Sequence, residues 1–531
     1  MRSTTVGLTF VLLAVISVII VCSLPLLVLS QSGGVDASIR SELTLQERRG
    51  KAFYLRGESA SGQEIIATLS NLEVPAASVP CAGCHGNRGE GKTEGSVTAG
   101  NLTWSFLSRP SGHKSYSEVA FGHLLTSGVD PAGHKLSATM PIYRMPMEDI
   151  VNLIAYLKRI GTEHDPGLSD KSILLGTLVP EKDALNGLGQ SMVDVLQAYF
   201  DDINRRGGIS NRRIELRIRY GNSKQTVSNL KQLVDDEQVF AMVSGLTAGV
   251  DDEISALTME RELPFVGPST LLPYRRSPLN RYLFYLLPGL NEQGRALVNA
   301  AARKTDPTTL KAAIVSPDAE LNRNVGGSIQ RQTNDLHWAA ATTTYYSPNA
   351  FNATLVLSEL NQKGINTMFF LGLGVEAAAI LKEAERVGWQ GKVYMMGTFI
   401  GRNIVDNMPS GMKDRVFIVF PTIPADVSPA GAAEFKDLLE SHKLARSNAA
   451  AQVSALAAAK IVVHALELCG KDLSRERFIT ALEGLREFDT GFTPKITFGP
   501  NRRIGSLGAY VVTIDSEKKL FPASVEWIAV D

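Results

Sequence analysis

Five consecutive residues, Cys81-Ala82-Gly83-Cys84-His85, constrain this 531-residue chain more than any other stretch. Two thiols three positions apart, followed at once by an imidazole, admit three chemical readings. A dithiol pair of thioredoxin type needs a strand leading into it, and the preceding residues supply none. A zinc site needs further Cys or His ligands at suitable spacing, and there is no second C-x-x-C. The third reading is covalent attachment of one haem c, in which each thiol forms a thioether to a vinyl group and the adjacent imidazole of His85 reaches the iron.

The N-terminus agrees with a site assembled outside the cytoplasm. Arg2 precedes an apolar run from about Val6 to Leu29, broken by Pro25 and ending in small and polar residues. Residues 1–30 therefore read as an export signal, with Val28 and Ser30 at the positions a signal peptidase inspects and cleavage before Gln31. The run is also long enough to span a bilayer, so an uncleaved anchor is the alternative. The bulky Val21 before Cys22 matches a lipoprotein processing site poorly. Removing the signal leaves Cys81, Cys84 and Cys469, an odd number that rules out a purely disulfide framework. Cys469 ends an alanine-rich helical stretch, Ala449 to Leu468, and reads as a half-buried inert thiol. Lys+Arg and Asp+Glu both total 54, so no net field draws nucleic acid or an anionic membrane surface.

The length is too great for one hydrophobic core and predicts two or three domains. A charged helical segment, Leu45 to about Gly57, leads into a glycine-rich region, and a second helix, Glu148 to Ile160, places Ile150, Leu153, Ile154 and Leu157 on one face before stopping at Gly161. Residues 162–171, with Asp165, Pro166, Gly167 and Ser169, read as a linker. From Ser172 the texture changes. Short apolar runs (173–179, 214–220, 239–244, 312–316, 367–371 and 393–396) alternate with amphipathic helices, the pattern of parallel sheets covered on both faces. Two α/β blocks, 172–290 and 291–421, then precede a helix-rich tail, which fits two lobes. Gly187-Leu188-Gly189-Gln190-Ser191-Met192 follows a strand but lacks the last glycine of a dinucleotide loop, and reads as the opening of a helix.

Residues 47–161 resemble class I cytochromes c, through the helix Arg48 to Tyr54, the Cys81 to Gly86 string with Gly89 and Gly91, and Met140-Pro141-Ile142-Tyr143 before the final helix. The resemblance implies an all-α domain over 31–161 and makes Met140 the distal iron ligand opposite His85, a pairing that raises the reduction potential. Met145 and Met147 are rivals that read as packing, and His113, His123 and His134 are the histidine alternatives. Trp104, Tyr143 and Tyr156 are candidates for the haem walls. A six-coordinate haem implies electron transfer rather than oxygen chemistry.

Residues 172–531 resemble the type I periplasmic binding proteins, especially the branched-chain amino acid receptors, through Ala198 to Ile209, Pro264 to Pro268, Glu385 to Trp389, Phe488 to Gly491 and Phe498 to Asn501. The resemblance implies a two-lobed α/β fold closing over a small solute. It puts the pocket at 245–248, 269–271, near Leu321, at 372–375 and at 398–399, with Gly372 and Thr398 among its residues. Thr247, Ser269 and Thr270 are the candidates for hydroxyl contacts to a ligand carboxylate, with helix capping as the plainer role of each. No acidic residue stands near Thr398 and no tyrosine near Leu321, which argues against an ordinary α-amino acid and leaves a carboxylate, an alcohol or an aromatic acid.

The combined expectation is a non-enzymatic periplasmic electron carrier that binds a small solute or docks a redox partner. The alternatives are the electron-accepting subunit of a periplasmic dehydrogenase and the receptor of a membrane importer with an accessory haem. No nucleophile elbow, zincin helix or second cofactor motif is present in the sequence.

Overall fold

The computed structural model describes residues 43–531 apart from 95–96, 111–112, 162–164, 183, 306–308, 349, 402, 515–523 and 531. Residues 1–30, read above as an export signal, and with them Cys22, lie outside the described residues. The chain divides into two compact units, 1–162 and 163–531.

The first unit opens with α1 (Leu45–Arg56), started by a capping box between Thr44 and Glu47 and ended by Gly57 at φ 67°. There follow β1 (Ile66–Leu69), β2 (Leu72–Pro75), α2 (Cys81–His85), β3 (Lys92–Glu94), β4 (Val97–Ala99), α3 (Trp104–Leu107), α4 (Glu118–Ser127), β5 (Ile142–Arg144) and α5 (Met147–Leu157). The terminal helices α1 and α5 cross at Gly50, where a Cβ would meet the Asn152 carbonyl oxygen at 1.9 Å. Only a residue without a side chain permits that approach. Tyr54 and Tyr156 meet beside it with ring centroids 5.6 Å apart. The expectation of an all-α unit is corrected: β1 pairs antiparallel with both β2 and β5, and β3 with β4. These strands have three or four residues each, too few for an alternation to register in the sequence.

The second unit contains β6 (Ser172–Val179), α6 (Leu188–Arg205), β7 (Arg213–Tyr220), α7 (Ser223–Lys231), β8 (Ala241–Gly245), α8 (Asp251–Glu260), β9 (Phe265–Val266) and β10 (Leu283–Phe284). It continues through α9 (Leu290–Lys304), β11 (Ala312–Pro317), α10 (Glu320–Asp335), β12 (Thr342–Tyr346), α11 (Ala353–Gln362), β13 (Thr367–Phe370), α12 (Gly374–Arg386), β14 (Lys392–Met396), α13 (Gly397–Ile400), α14 (Asn403–Asp406) and β15 (Val416–Phe420). The tail supplies α15 (Pro429–Ser441), α16 (Ala449–Cys469), α17 (Arg475–Glu483), β16 (Gly508–Val512) and β17 (Val525–Ala529). The first sheet is all parallel in the order β10-β9-β8-β6-β7. The second runs β12-β11-β13-β14-β15-β16-β17, parallel as far as β15 and antiparallel beyond it. Every residue of β8 and β13 is buried, which is why those strands read as unbroken apolar runs.

The helix-rich tail is shared between the sheets: α15, α16 and α17 pack into the core of the first sheet, while β16 and β17 extend the second. The apolar α16 is the central helix of that first core, with Leu456, Ile461 and Val462 fully buried. Residues 165–171, read as a linker, are built into the second unit. Leu168 packs against its core and Asp165 Oδ2 accepts from the Arg475 backbone N–H at 2.8 Å.

Candidate functional site

In the first unit, α2 carries the five-residue string, with Cys81 and His85 buried and Cys84 exposed. Tyr143 donates its hydroxyl to the Val79 carbonyl at 2.7 Å and Tyr54 donates to Gly86 O at 2.7 Å, so both ends of this short helix are tied to the core. The turn after it needs positive φ at Gly86, Gly89 and Gly91; a Cβ on Gly91 would meet Ala99 O at 2.6 Å. His85 Nδ1 lies 2.7 Å from Gly100 O, which fixes the proton on Nδ1 and leaves Nε2 with its lone pair free. Burial pushes the His85 pKa down, against the opposing pull of the Gly100 carbonyl. Burial also pushes the Cys81 thiol up to about 12.

One cleft of about 580 Å³, within the size range of cofactor sites, is bordered by Cys81, Cys84, His85, Met140, Pro141 and Tyr143. The structure thus brings all four sequence-derived haem residues to one place. It leaves the rivals elsewhere: Met147 is 70% exposed, and Met145 packs on the core without bordering the cleft. His113 sits between Phe106 and Tyr116, His123 and His134 are exposed, and His134 pairs with Asp130. Of the aromatic wall candidates only Tyr143 borders the cleft. Trp104 stacks edge-on to Phe121 under Lys158, and Tyr156 faces Tyr54. A thioether-linked porphyrin fits this donor set: two sulfurs on one rim, an imidazole with its tautomer already fixed, and a thioether sulfur in the same cleft. Among the described residues no group of three or more His, Cys, Asp or Glu comes together as a metal site.

In the second unit, the candidates Thr247, Ser269, Gly372 and Thr398 all lie just past the carboxyl ends of parallel strands β8, β9, β13 and β14, the position where open α/β sheets bind ligands. Ser269, Thr270 and Thr398 border one cleft of about 180 Å³ with Gln293, Pro421 and Ser454, so segments from both sheets contribute. A neighbouring cleft of about 220 Å³ is bordered by Leu246 and Ala248 from the β8–α8 loop.

Three readings are corrected by the contacts. Thr247 is buried and its Oγ1 donates to Asp251 Oδ1 at 3.1 Å, and Thr270 Oγ1 donates to Asp251 Oδ2 at 2.8 Å. Neither hydroxyl is left to donate to a ligand carboxylate. Gly372 is buried and does not border the cleft: a Cβ there would meet the Tyr346 hydroxyl at 2.4 Å, where that hydroxyl donates to Glu376 Oε2 at 2.7 Å. Tyr346 of β12 accepts from Asp318 N at 2.8 Å through its carbonyl, in the loop ahead of α10, while its hydroxyl is held by Glu376. Sequence reasoning missed Asp251 altogether. Its signal was the Asp251-Asp252-Glu253 run opening a helix after Gly249, which reads as ordinary helix-dipole compensation. Burial raises the Asp251 pKa, and the two threonine hydroxyls pull it back.

A periplasmic binding protein family model matches residues 172–519, and a cytochrome c model matches residues 60–161. Comparison with the curated proteins finds no match. Among solved structures, a fatty acid ABC transporter substrate-binding protein from Thermomonospora curvata is 16% identical over 69% of this chain and 94% of its own, with a TM-score of 0.51. A branched-chain amino acid ABC transporter protein from Thermus thermophilus with bound valine is 17% identical over 68% of this chain and 97% of its own, at 0.52. A periplasmic binding protein type 1 from Bordetella pertussis Tohama I is 15% identical over 68% and 100%, at 0.50. Identities this low carry the fold alone, and the fold is that of the two-sheet unit. With a binding-protein match over most of its length and a cytochrome c match before it, this chain belongs to the periplasmic binding protein family and carries a cytochrome c region, with the covalent haem c that such a region implies.

Proposed function

We propose that this protein is an exported, non-enzymatic electron carrier and solute receptor. Its first unit would hold one haem c through Cys81 and Cys84, with His85 and Met140 as the protein ligands of the iron, and its second unit binds a small solute in the cleft bordered by Ser269, Thr270 and Thr398. The single observation that supports the haem assignment best is that Cys81, Cys84, His85 and Met140 border one cleft while every rival methionine and histidine lies off it. When bound, the haem supplies reversible one-electron exchange. The chain's own residues anchor and orient: Gly100 O holds the His85 proton on Nδ1, Tyr143 and Tyr54 pin α2, and Val79, Pro80, Leu136 and Pro141 give the cleft apolar walls. Protein purified from cells able to mature cytochromes c is expected to show a Soret band, covalent porphyrin after denaturation and one iron per chain. A colourless product would refute the assignment.

Both families are typically exported, which supports a periplasmic location, and two of the similar structures named above are described as ABC transporter proteins. They favour one second reading, that of an importer's receptor with an accessory haem. A solute that changes the haem potential on binding supports coupled electron transfer and a redox partner. A solute that binds with the potential unmoved supports the importer reading.

A further inference from the structure

Beside the cleft bordered by Ser269, Thr270 and Thr398 lies the second one, of about 220 Å³, which shares no bordering residue with it. In the sheet order β10-β9-β8-β6-β7, the chain steps from β6 to one side for β7 and to the other side for β8. Open parallel sheets take ligands in the crevice beyond such a reversal, outside the carboxyl ends of the strands. The 220 Å³ cleft occupies that point. Leu178 and Val179 end β6, Arg219 lies near the end of β7, and Leu246 and Ala248 follow β8. Among the described residues, every one on its border falls between 178 and 248, so the second sheet contributes nothing to it.

Much of this border is apolar. Leu178, Val179 and Pro180 are buried, Leu246 and Ala248 are half-buried, and Leu185 is 60% exposed. Leu185 and Asn186 both take left-handed backbone, at φ 50° and 55°, a conformation that disfavours a residue with a Cβ. Asn448 Nδ2 donates to Asn186 O at 3.0 Å and so ties this turn to the start of α16. A large apolar side chain is thereby set at the rim of an apolar cleft, where water is a poor partner for it. Three of the polar side chains on the border are engaged within the chain: Arg219 pairs with Glu237 at 2.5 Å, Asn229 Nδ2 donates to Tyr220 O at 3.1 Å, and Thr226 Oγ1 donates to Asn222 O at 3.2 Å. Glu181 and Arg219 are the bordering charges, one of each sign, so no net field selects an ion.

The two clefts meet at one backbone pairing. Leu246, on the border of this cleft, bridges to Ser269, on the border of the other, and Thr247 N donates to Ser269 O at 3.0 Å. A molecule held at Ser269 therefore has an apolar surface one strand spacing away, about 4.8 Å.

Resting on the reading of the Ser269, Thr270 and Thr398 cleft as the solute site, we infer that the cleft at the β6–β8 reversal is a second subsite, which takes an apolar extension of the solute. The solute is then amphipathic, with a hydrogen-bonding head between the two sheets and an aliphatic chain or single aromatic ring on the first sheet alone. The volume suits such a group, since an apolar cavity of about 150 Å³ holds one benzene molecule.

The test is isothermal titration calorimetry of the full-length haem protein with two series of unbranched probes: butyrate, hexanoate and octanoate, and 1-butanol, 1-hexanol and 1-octanol. In the series whose head is accepted, affinity should rise about fourfold per added methylene, the equivalent of about 0.8 kcal/mol, until the cleft is full. Ala248→Leu enlarges a bordering side chain into the space, and Leu185→Asn removes the apolar rim while suiting the left-handed backbone. Each should reduce the affinity ratio of the longest to the shortest probe at least fivefold, with the thermal transition of the second unit reporting that it stays folded. A series that binds without a chain-length gain, or a gain that either variant keeps in full, would overturn the subsite while preserving the receptor reading. Silence of both series overturns the receptor reading, and the subsite falls with it.

Discussion

Replacing Arg475 with methionine removes the guanidinium that fastens the returning tail to the first sheet of the binding unit. Arg475 is 7% exposed, and its Nε and Nη2 donate to Phe240 O at 2.9 Å and Val239 O at 2.7 Å, just ahead of β8. Its Nη1 donates to Arg261 O at 3.0 Å and Glu262 O at 3.3 Å, in the turn after α8. Methionine fills much of the aliphatic stem and supplies no donor. Val239 and Phe240 are wholly buried, so their carbonyls lose charged hydrogen bonds that are each worth about 1.5–3 kcal/mol, whereas the half-exposed Arg261 and Glu262 carbonyls can turn to water. Relief of the buried charge offsets part of this. A net loss of about 3 kcal/mol follows, and for a unit of this length about 0.8 kcal/mol of stability corresponds to one degree, so the transition should fall by roughly 4 °C. Differential scanning calorimetry of the full chain, with Soret absorbance as an independent monitor of the haem unit, reads the change. A drop below about 1 °C would mean that the carbonyls find other donors and that the tail is not held this way.

Other outcomes follow from the haem unit. Met140→Ala should lower the haem reduction potential while leaving the porphyrin covalently retained, and His85→Ala should abolish normal low-spin ligation; redox titration and the visible spectrum decide both. Gly50→Val should destabilise the first unit by about 2–4 kcal/mol, because the new Cβ meets Asn152 backbone rather than a movable side chain, and loss of the haem unit's thermal transition at a lower temperature checks it. In the haem-free protein, iodoacetamide at pH 8 should label the exposed Cys84 well before Cys81, since the thiolate is the reacting form and burial pushes the Cys81 thiol up to about 12, leaving on the order of one thiolate in ten thousand at that pH. Cys81 labelling should rise only as pH approaches its raised value. Equal rates at pH 8, read by peptide mass spectrometry, would contradict the buried placement of α2's first residue.

What the sequence determined by itself was local chemistry and local period. The Cys81 to His85 string carries its meaning in five adjacent residues, the α1 and α5 helices announce themselves by caps and spacing, and fully buried parallel strands such as β8 and β13 appear as apolar runs because both their faces meet helices. Tertiary structure alone decided which distant segments complete a core or a site. Periodicity says that a face is apolar without naming what covers it, so the division of the tail between two sheets was invisible, as was the half-exposed edge strand β12 that pairs Tyr346 with the loop ahead of α10. Met140 was already singled out by the resemblance; the tertiary structure adds that it borders the cleft and the partly buried Met145 does not. The capture of Thr247 and Thr270 by Asp251 depends on two loops meeting at one helix start, a contact between residues up to 19 positions apart that no local pattern encodes.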